Sequence, residues 1–163
     1  MAKPPAMMTY PEPPGGSFDG PVHRYPLRVY FEDTDLSGVV YHANYLRWFE
    51  RARSEMLRCL GIEQRAVYEA GQGCYAVAGL TIRYLAPARL DDAILIESRV
   101  EELRAASCRL HQKALTGGGA SGGLVLCEMR LRIGFVGLDG RPRRQPEAWR
   151  KAFAAIAPTE SLE

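Results

Sequence analysis

The sequence predicts an α+β fold in which one long central helix is wrapped by a curved antiparallel sheet of about five strands. Apolar residues recur every three or four positions after Asn44, which is typical of one face of an α-helix. Segments rich in Val, Ile, Thr and Tyr follow, and short polar turns separate them, as in an antiparallel sheet. The helix has one broad aromatic stripe, so we expect the stripe to pack against the concave face of that sheet.

The first predicted elements are a strand at residues 25–32, a turn at residues 33–38 and the long helix. In the strand, Leu27, Val29 and Phe31 alternate with residues of the opposite face, and a period of two indicates a strand. We expect Asn44 to be the N-cap of the helix. Gly61 fits the left-handed position that ends a helix.

The second half of the chain is predicted to supply most of the sheet. A short helical connector is expected at residues 62–70, and a terminal helix at residues 146–157. Four strands are expected at residues 75–85, 93–100, 107–115 and 124–136, with turns at residues 90–92 and 116–123. The last of these turns is rich in glycine but lacks the Gly-Lys-Ser/Thr ending of a phosphate loop, so we interpret it as a hairpin connection.

Length and composition indicate a single soluble domain. The chain has 163 residues, and we expect the domain at residues 25–157, after a flexible or extended leader at residues 1–24 and before a tail at residues 158–163. The net charge of +2 is too small to suggest nucleic-acid binding. No apolar run approaches the roughly 20 residues of a membrane helix, and prolines interrupt any signal peptide, so a cytoplasmic location is expected.

The cysteines and histidines do not suggest a metal site. Four scattered cysteines, in a chain with no export signal, are expected to be buried thiols rather than a disulfide framework. The three histidines are too widely separated for metal-ligand spacing. A basic cluster between Arg141 and Lys151 is either a solvated tail or a surface that attracts phosphate groups.

Asp35 and His42, two residues that can exchange protons, lie in or near the turn before the long helix. An aspartate in a turn often only stabilises the turn, and a turn histidine can be equally ordinary. The residues around them decide between these interpretations. YFEDTD at residues 30–35, GVVYHANY at residues 38–45 and ERAR at residues 50–53 resemble the hotdog-fold acyl-CoA thioesterases.

The resemblance is to the Tol–Pal-associated subfamily of the 4-hydroxybenzoyl-CoA thioesterase family. YLAPARLDD at residues 84–92 is also similar to that subfamily, and the resemblance covers about residues 26–142. It implies a hotdog fold, a homodimer formed edge to edge or a homotetramer, and a pocket at the subunit interface. It also implies hydrolysis of an acyl-CoA thioester without metal or cofactor, and it suggests acyl-carrier or phospholipid-synthesis proteins as partners.

The resemblance also assigns site residues. The essential carboxylate of the family falls on Asp35, and the histidine typical of the subfamily falls on His42. Tyr41 and Asn44 are the candidate substrate contacts. Asp35 would either attack the thioester carbonyl or act as a general base toward water, and His42 would position water or substrate. Backbone amides near residues 42–45, at the helix N-terminus, would polarise the carbonyl.

Two alternative functions stay open. A hotdog dehydratase or hydratase would also use a histidine and a carboxylate, but such sites draw them from separate segments, whereas Asp35 and His42 lie seven positions apart. The other alternative is a binding or scaffold protein that holds an acyl thioester or an acyl carrier without hydrolysing it.

Overall fold

The structure is a computed structural model that describes residues 11–117 and 123–159. Its strands are β1 (Ser17–Asp19), β2 (Val22–Arg28), β3 (Cys74–Tyr84), β4 (Ala93–Leu103), β5 (Ser107–Thr116) and β6 (Val125–Val136). Its helices are α1 (His42–Cys59), α2 (Gln64–Glu69) and α3 (Glu147–Ala154), and a short 3-10 helix spans Phe31–Asp33. These elements confirm the α+β prediction.

The six strands form one antiparallel sheet in the order β1-β2-β4-β5-β6-β3. Strand β3 does not pair with β4, which follows it in the chain, but with β6 at the far edge. Residues 85–92 therefore connect the two sides of the sheet. They leave β3 as an edge strand with one row of backbone groups unpaired within the described structure.

Helix α1 packs its apolar stripe against the concave face of the sheet, as the periodicity predicts. The stripe consists of Tyr45, Trp48, Phe49, Ala52, Met56 and Leu57, all of them buried. Strand β4 shows the complementary pattern, because Ile94, Ile96 and Val100 point into the core while their neighbours do not. Burial of this contiguous surface is the main stabilising interaction of the fold.

A buried polar network ties α1 to the middle of the sheet. The Arg53 guanidinium donates to Gln112 Oε1 over 2.7 Å, and a second guanidinium nitrogen pairs with Glu50. The Gln112 amide donates to Ser98 Oγ at 2.8 Å and to the Phe49 carbonyl at 3.0 Å. The buried guanidinium and amide therefore have partners, and the network sets the position of the helix over β4 and β5.

The predicted bounds of the first strand were wrong at both ends. The observed strand β2 begins at Val22 and ends at Arg28. The 3-10 helix that follows leaves Phe31 exposed. Strand β1 pairs with β2 through a tight turn at Gly20, whose φ is +57°. The residues from Ser17 onward, expected in the leader, thus add a sixth strand. The Pro and Gly content of this segment does not indicate a hairpin. The hairpin forms because β2 also pairs with β4, a contact between segments that are distant in the sequence.

Other expectations were met in part. The connector and terminal helix form as α2 and α3, although α3 is shorter than expected. The prediction of buried thiols is confirmed for Cys108 and Cys127, whereas Cys74 is half-buried and the prediction was wrong for Cys59, which is exposed. The glycine-rich connection joins β5 to β6, but its residues 118–122 lie outside the described part of the chain. None of the described helices is long and apolar enough to cross a membrane.

Candidate active site

The turn between the 3-10 segment and α1 presents Asp35 at the surface. Thr34 and Val40 form an isolated antiparallel bridge that closes the turn. Within it, the Asp35 amide donates to the Val39 carbonyl at 3.1 Å, and the Gly38 amide donates to the Asp35 carbonyl at 3.0 Å. Gly38 has φ +77°, a conformation that glycine adopts without strain. The turn is therefore compact, with the Asp35 side chain exposed.

Only one of the two carboxylate oxygens of Asp35 accepts hydrogen bonds from the described residues. Oδ1 accepts from the Ser37 amide at 2.8 Å and from the Ser37 hydroxyl. Oδ2 accepts no hydrogen bond from the residues that the structure describes. The Ser37 hydroxyl, then the Ser37 amide and the His42 charge, lower the pKa of Asp35 below its usual 3.8. Asp35 is thus ionised near neutral pH, with a free oxygen.

We expect Ser37→Ala to raise the pKa of Asp35. The substitution removes the hydroxyl that contributes most to the lowering and leaves the amide donor in place. A lowered pKa keeps the carboxylate charged as the pH falls, so the variant should become protonated at a higher pH than the wild type. NMR titration of the Asp35 carboxyl carbon measures this, and an unchanged midpoint would contradict the assigned role of Ser37.

Asp33 and Asn44 hold the turn against α1. The Asp33 carbonyl accepts from the Tyr41 amide at 2.9 Å and from the Asn44 side-chain amide at 2.8 Å. The Asp33 carboxylate accepts from the Tyr30 amide at 2.8 Å. The prediction that Asn44 is the N-cap was wrong: the N-cap is Tyr41, and Asn44 lies buried in the first helical turn. Its side-chain amide therefore links the first turn of α1 to the preceding turn at Asp33.

The N-terminus of α1 has unpaired amides. Tyr41 makes no capping hydrogen bond with its side chain. The Asn44 amide donates to the Tyr41 carbonyl at 2.9 Å, but in the described residues the amides of His42 and Ala43 have no acceptor. Unpaired amides and the helix dipole together favour negative charge at this end. The N-terminus of α1 can therefore bind an oxygen that acquires negative charge.

A cleft of about 310 Å³ opens beside these amides. It is lined by Val39, Val40, His42, Tyr45, Tyr84, Leu85, Ala86 and Pro87. Most of these side chains are apolar, and His42, the first residue of α1, adds an imidazole to the lining. Asp35 lies next to the cleft rather than in its lining, near enough for the His42 charge to affect its pKa. The exposed Tyr41 ring packs beside His42, with centroids 4.4 Å apart.

The segment after β3 forms the opposite wall of the cleft. The Ala88 carbonyl accepts from the Val40 amide at 2.9 Å, and the Ala88 amide donates to the Tyr45 hydroxyl at 3.3 Å. In the sequence this segment is visible only as a second motif. Tyr84 begins that motif, but no local pattern marks Tyr84 or Ser37 as part of the site.

The other two histidines, and Arg143 and Lys151 of the basic cluster, lie away from this turn in the sequence and have partners of their own. His23 is buried, with Nε2 2.9 Å from a backbone carbonyl oxygen. His111 lies 2.6 Å from the Glu128 carboxylate on β6. In the basic cluster, Lys151 pairs with Glu147 at 3.0 Å. These contacts are consistent with structural roles.

Comparison with known proteins relates the whole domain to thioesterases. The model of the family described as the thioesterase-like superfamily matches residues 29–156. The acyl-CoA thioesterase YbgC of Haemophilus influenzae is 38% identical over 130 residues, which are 79% of this chain and 92% of that protein. The acyl-CoA thioester hydrolase YbgC of Escherichia coli O6:H1 is 46% identical over 90 residues, 55% of this chain and 66% of that protein.

A solved structure shows the same arrangement. The crystal structure of a probable thioesterase from Bartonella henselae superposes with a TM-score of 0.70 at 35% identity. The match covers 77% of this chain and 99% of that one. The long helix and the curved sheet therefore recur in a protein of similar length to the described domain.

Proposed function

Because the chain belongs to the thioesterase-like superfamily and is a thioester hydrolase, we propose that it hydrolyses an acyl-CoA thioester to a free acid and coenzyme A. Its fold is the hotdog fold. The observation that carries the proposal is the ionised Asp35, with one free oxygen, next to the uncapped amides of α1 and an apolar cleft.

The amides of His42 and Ala43 are the proposed donors to the thioester oxygen. When the carbonyl carbon becomes tetrahedral, its oxygen becomes negatively charged, and donors that are already oriented stabilise it without reorganisation. The Tyr41 and Asn44 amides are used within the turn and the helix. This leaves the first two helical amides for the substrate.

Asp35 Oδ2 is the proposed reacting oxygen. As a nucleophile it would form a mixed anhydride and release the coenzyme A thiolate, and water would then hydrolyse the anhydride. As a general base it would take a proton from a water molecule that attacks the same carbon, with the thiolate again leaving. In both cases the thiolate finally takes a proton and the acid is released. His42, at the edge of the cleft, would position the water or the thioester.

A panel of thioesters tests the proposed substrate class. Release of free thiol is followed spectrophotometrically with acyl-CoAs of increasing chain length, aromatic acyl-CoAs and acyl-carrier-protein thioesters. Hydrolysis of at least one acyl-CoA at a saturable rate supports the proposal. Tight binding of acyl-CoAs without release of thiol would instead favour a scaffold function. An enoyl product without free thiol would favour a hydratase or dehydratase.

We also propose that a second copy of the chain completes the site. Apolar side chains are exposed along β3 and around the turn: Val77, Leu80, Tyr84, Tyr30, Phe31, Leu36 and Tyr41. An unpaired edge strand that carries exposed apolar side chains is a feature that proteins usually cover. Since Tyr84 belongs to β3 and also lines the cleft, a copy paired along β3 would lie beside the substrate.

Leu80→Lys is expected to make the protein monomeric and to lower its thioesterase activity. Leu80 lies in the middle of β3 with an exposed side chain, and lysine on an edge strand opposes strand pairing. Sedimentation velocity measures the change. Leu138→Lys, an equally polar change at an exposed leucine after β6, is the control and should leave the wild-type assembly intact. A wild-type protein that sediments as a monomer would contradict the proposal.

A further inference from the structure

Tyr84 connects the edge strand to the first turn of α1. It is the last residue of β3, and its hydroxyl donates to the His42 carbonyl at 3.0 Å, across 42 positions of sequence. Its ring stands edge-on to the His42 ring, with centroids 6.1 Å apart at 88°, and to the Tyr45 ring at 5.7 Å and 69°. Tyr84 therefore contacts His42 through both its hydroxyl and its ring.

The hydroxyl of Tyr84 is a donor at neutral pH. Partial desolvation of this half-exposed side chain raises the pKa of Tyr84 above its usual 10.0, so the phenol stays protonated there. The acceptor, the His42 carbonyl, belongs to the first helical residue and also accepts the usual bond within the helix. The Tyr84 bond is thus the link between this carbonyl and the sheet. It resists rotation of the first turn, which carries the imidazole.

From these contacts we infer that Tyr84 is a positioning residue for thioester hydrolysis, which orients the His42 imidazole in the cleft. The inference rests on the proposed function. Tyr84 does not itself exchange a proton with the substrate in this account, because its hydroxyl points to the backbone. A small displacement of a group that positions a reactant can lower a rate strongly, so the effect of losing the hydroxyl should appear in kcat.

Tyr84→Phe removes only the hydroxyl and keeps the ring. We expect kcat for the best acyl-CoA to fall on the order of tenfold with KM nearly unchanged, because the aromatic wall of the cleft is retained. Tyr68→Phe is the matched control, because Tyr68 is exposed on α2 and its hydroxyl has no partner in the described residues. The kcat of this variant should equal that of the wild type. A loss confined to KM would contradict a positioning role.

A double-mutant cycle with His42→Ala tests whether Tyr84 acts through His42. If it does, Tyr84→Phe should lower kcat about tenfold in the wild-type background and less than about twofold when His42 is already absent. Equal losses in both backgrounds would overturn the inference. So would a wild-type rate for the Tyr84→Phe variant in a protein that hydrolyses acyl-CoA.

An NMR measurement without substrate separates this inference from the proposed function. The imidazole resonances of His42 are compared in the wild type, Tyr84→Phe and Tyr68→Phe. We expect them to shift only in Tyr84→Phe, while thermal unfolding shows that all three proteins are folded. Unchanged His42 resonances in Tyr84→Phe would overturn the inference even if the acyl-CoA panel succeeds. If the panel fails, a clear shift would support only the part of the inference that Tyr84 orients His42, and the role in hydrolysis would fall with the proposed function.

Discussion

Replacing Phe49 by alanine is expected to lower the free energy of unfolding by about 3–5 kcal/mol. The Phe49 side chain lies in the middle of α1 and is fully buried in the core between the helix and the sheet. Truncation removes apolar surface from the core and leaves a cavity that its neighbours fill only in part. The Phe49 carbonyl accepts a hydrogen bond from the Gln112 side-chain amide, so the helix loses packing at the point where it is bonded to the sheet.

Urea denaturation at a fixed protein concentration measures the effect as a fall in the transition midpoint with a similar m-value. Tyr68→Ala serves as the control, because it removes an aromatic ring from the exposed face of α2 and should cost less than about 1 kcal/mol. Similar losses for both variants would mean that the stripe of α1 is not the core of the fold.

The helix and four of the strands are predictable from the sequence because their signals are local. A period of three to four residues marks α1, and β-branched and aromatic residues mark β3 to β6. The pairing of β3 with β6, and the β1–β2 hairpin, are not predictable in this way. Both depend on which strand each edge strand pairs with, and that pairing is determined by contacts between segments that are distant in the sequence.

The candidate site shows the same division. Asp35 and His42 were selected from a continuous motif, and in the structure His42 is the first residue of α1 while Asp35 lies in the turn before it. The contacts that define their surroundings join separate segments: Asn44 bonds to Asp33, and Tyr84 bonds to His42. The local pattern predicted Asn44 as the helix N-cap, because asparagine is common at that position. In the structure its side chain instead donates a hydrogen bond to the preceding turn.

Asp35→Asn is expected to lower kcat/KM for acyl-CoA hydrolysis about 10³-fold, which corresponds to roughly 4 kcal/mol of transition-state stabilisation. Asparagine keeps the shape of the side chain, and its oxygen can still accept from Ser37, so the turn should persist. It has neither the charge to attack a carbonyl carbon nor the basicity to remove a proton from water. The loss is expected for both roles considered for Asp35.

Asp33→Asn is the matched control, since it makes the same chemical change two positions earlier in the same turn. Among the described residues the Asp33 carboxylate accepts from the Tyr30 amide alone, and an amide oxygen can accept the same hydrogen bond. We therefore expect less than about a tenfold loss of activity in this variant. Circular dichroism and the thermal midpoint should show that both variants are folded.

The most direct test of the account is the rate of thiol release by the wild type, Asp33→Asn and Asp35→Asn on one acyl-CoA under identical conditions. If the free oxygen of Asp35 acts on the thioester beside the amides of α1, only the Asp35 variant falls by about three orders of magnitude. If a folded Asp35→Asn protein keeps the wild-type rate, the chemistry takes place elsewhere on the molecule.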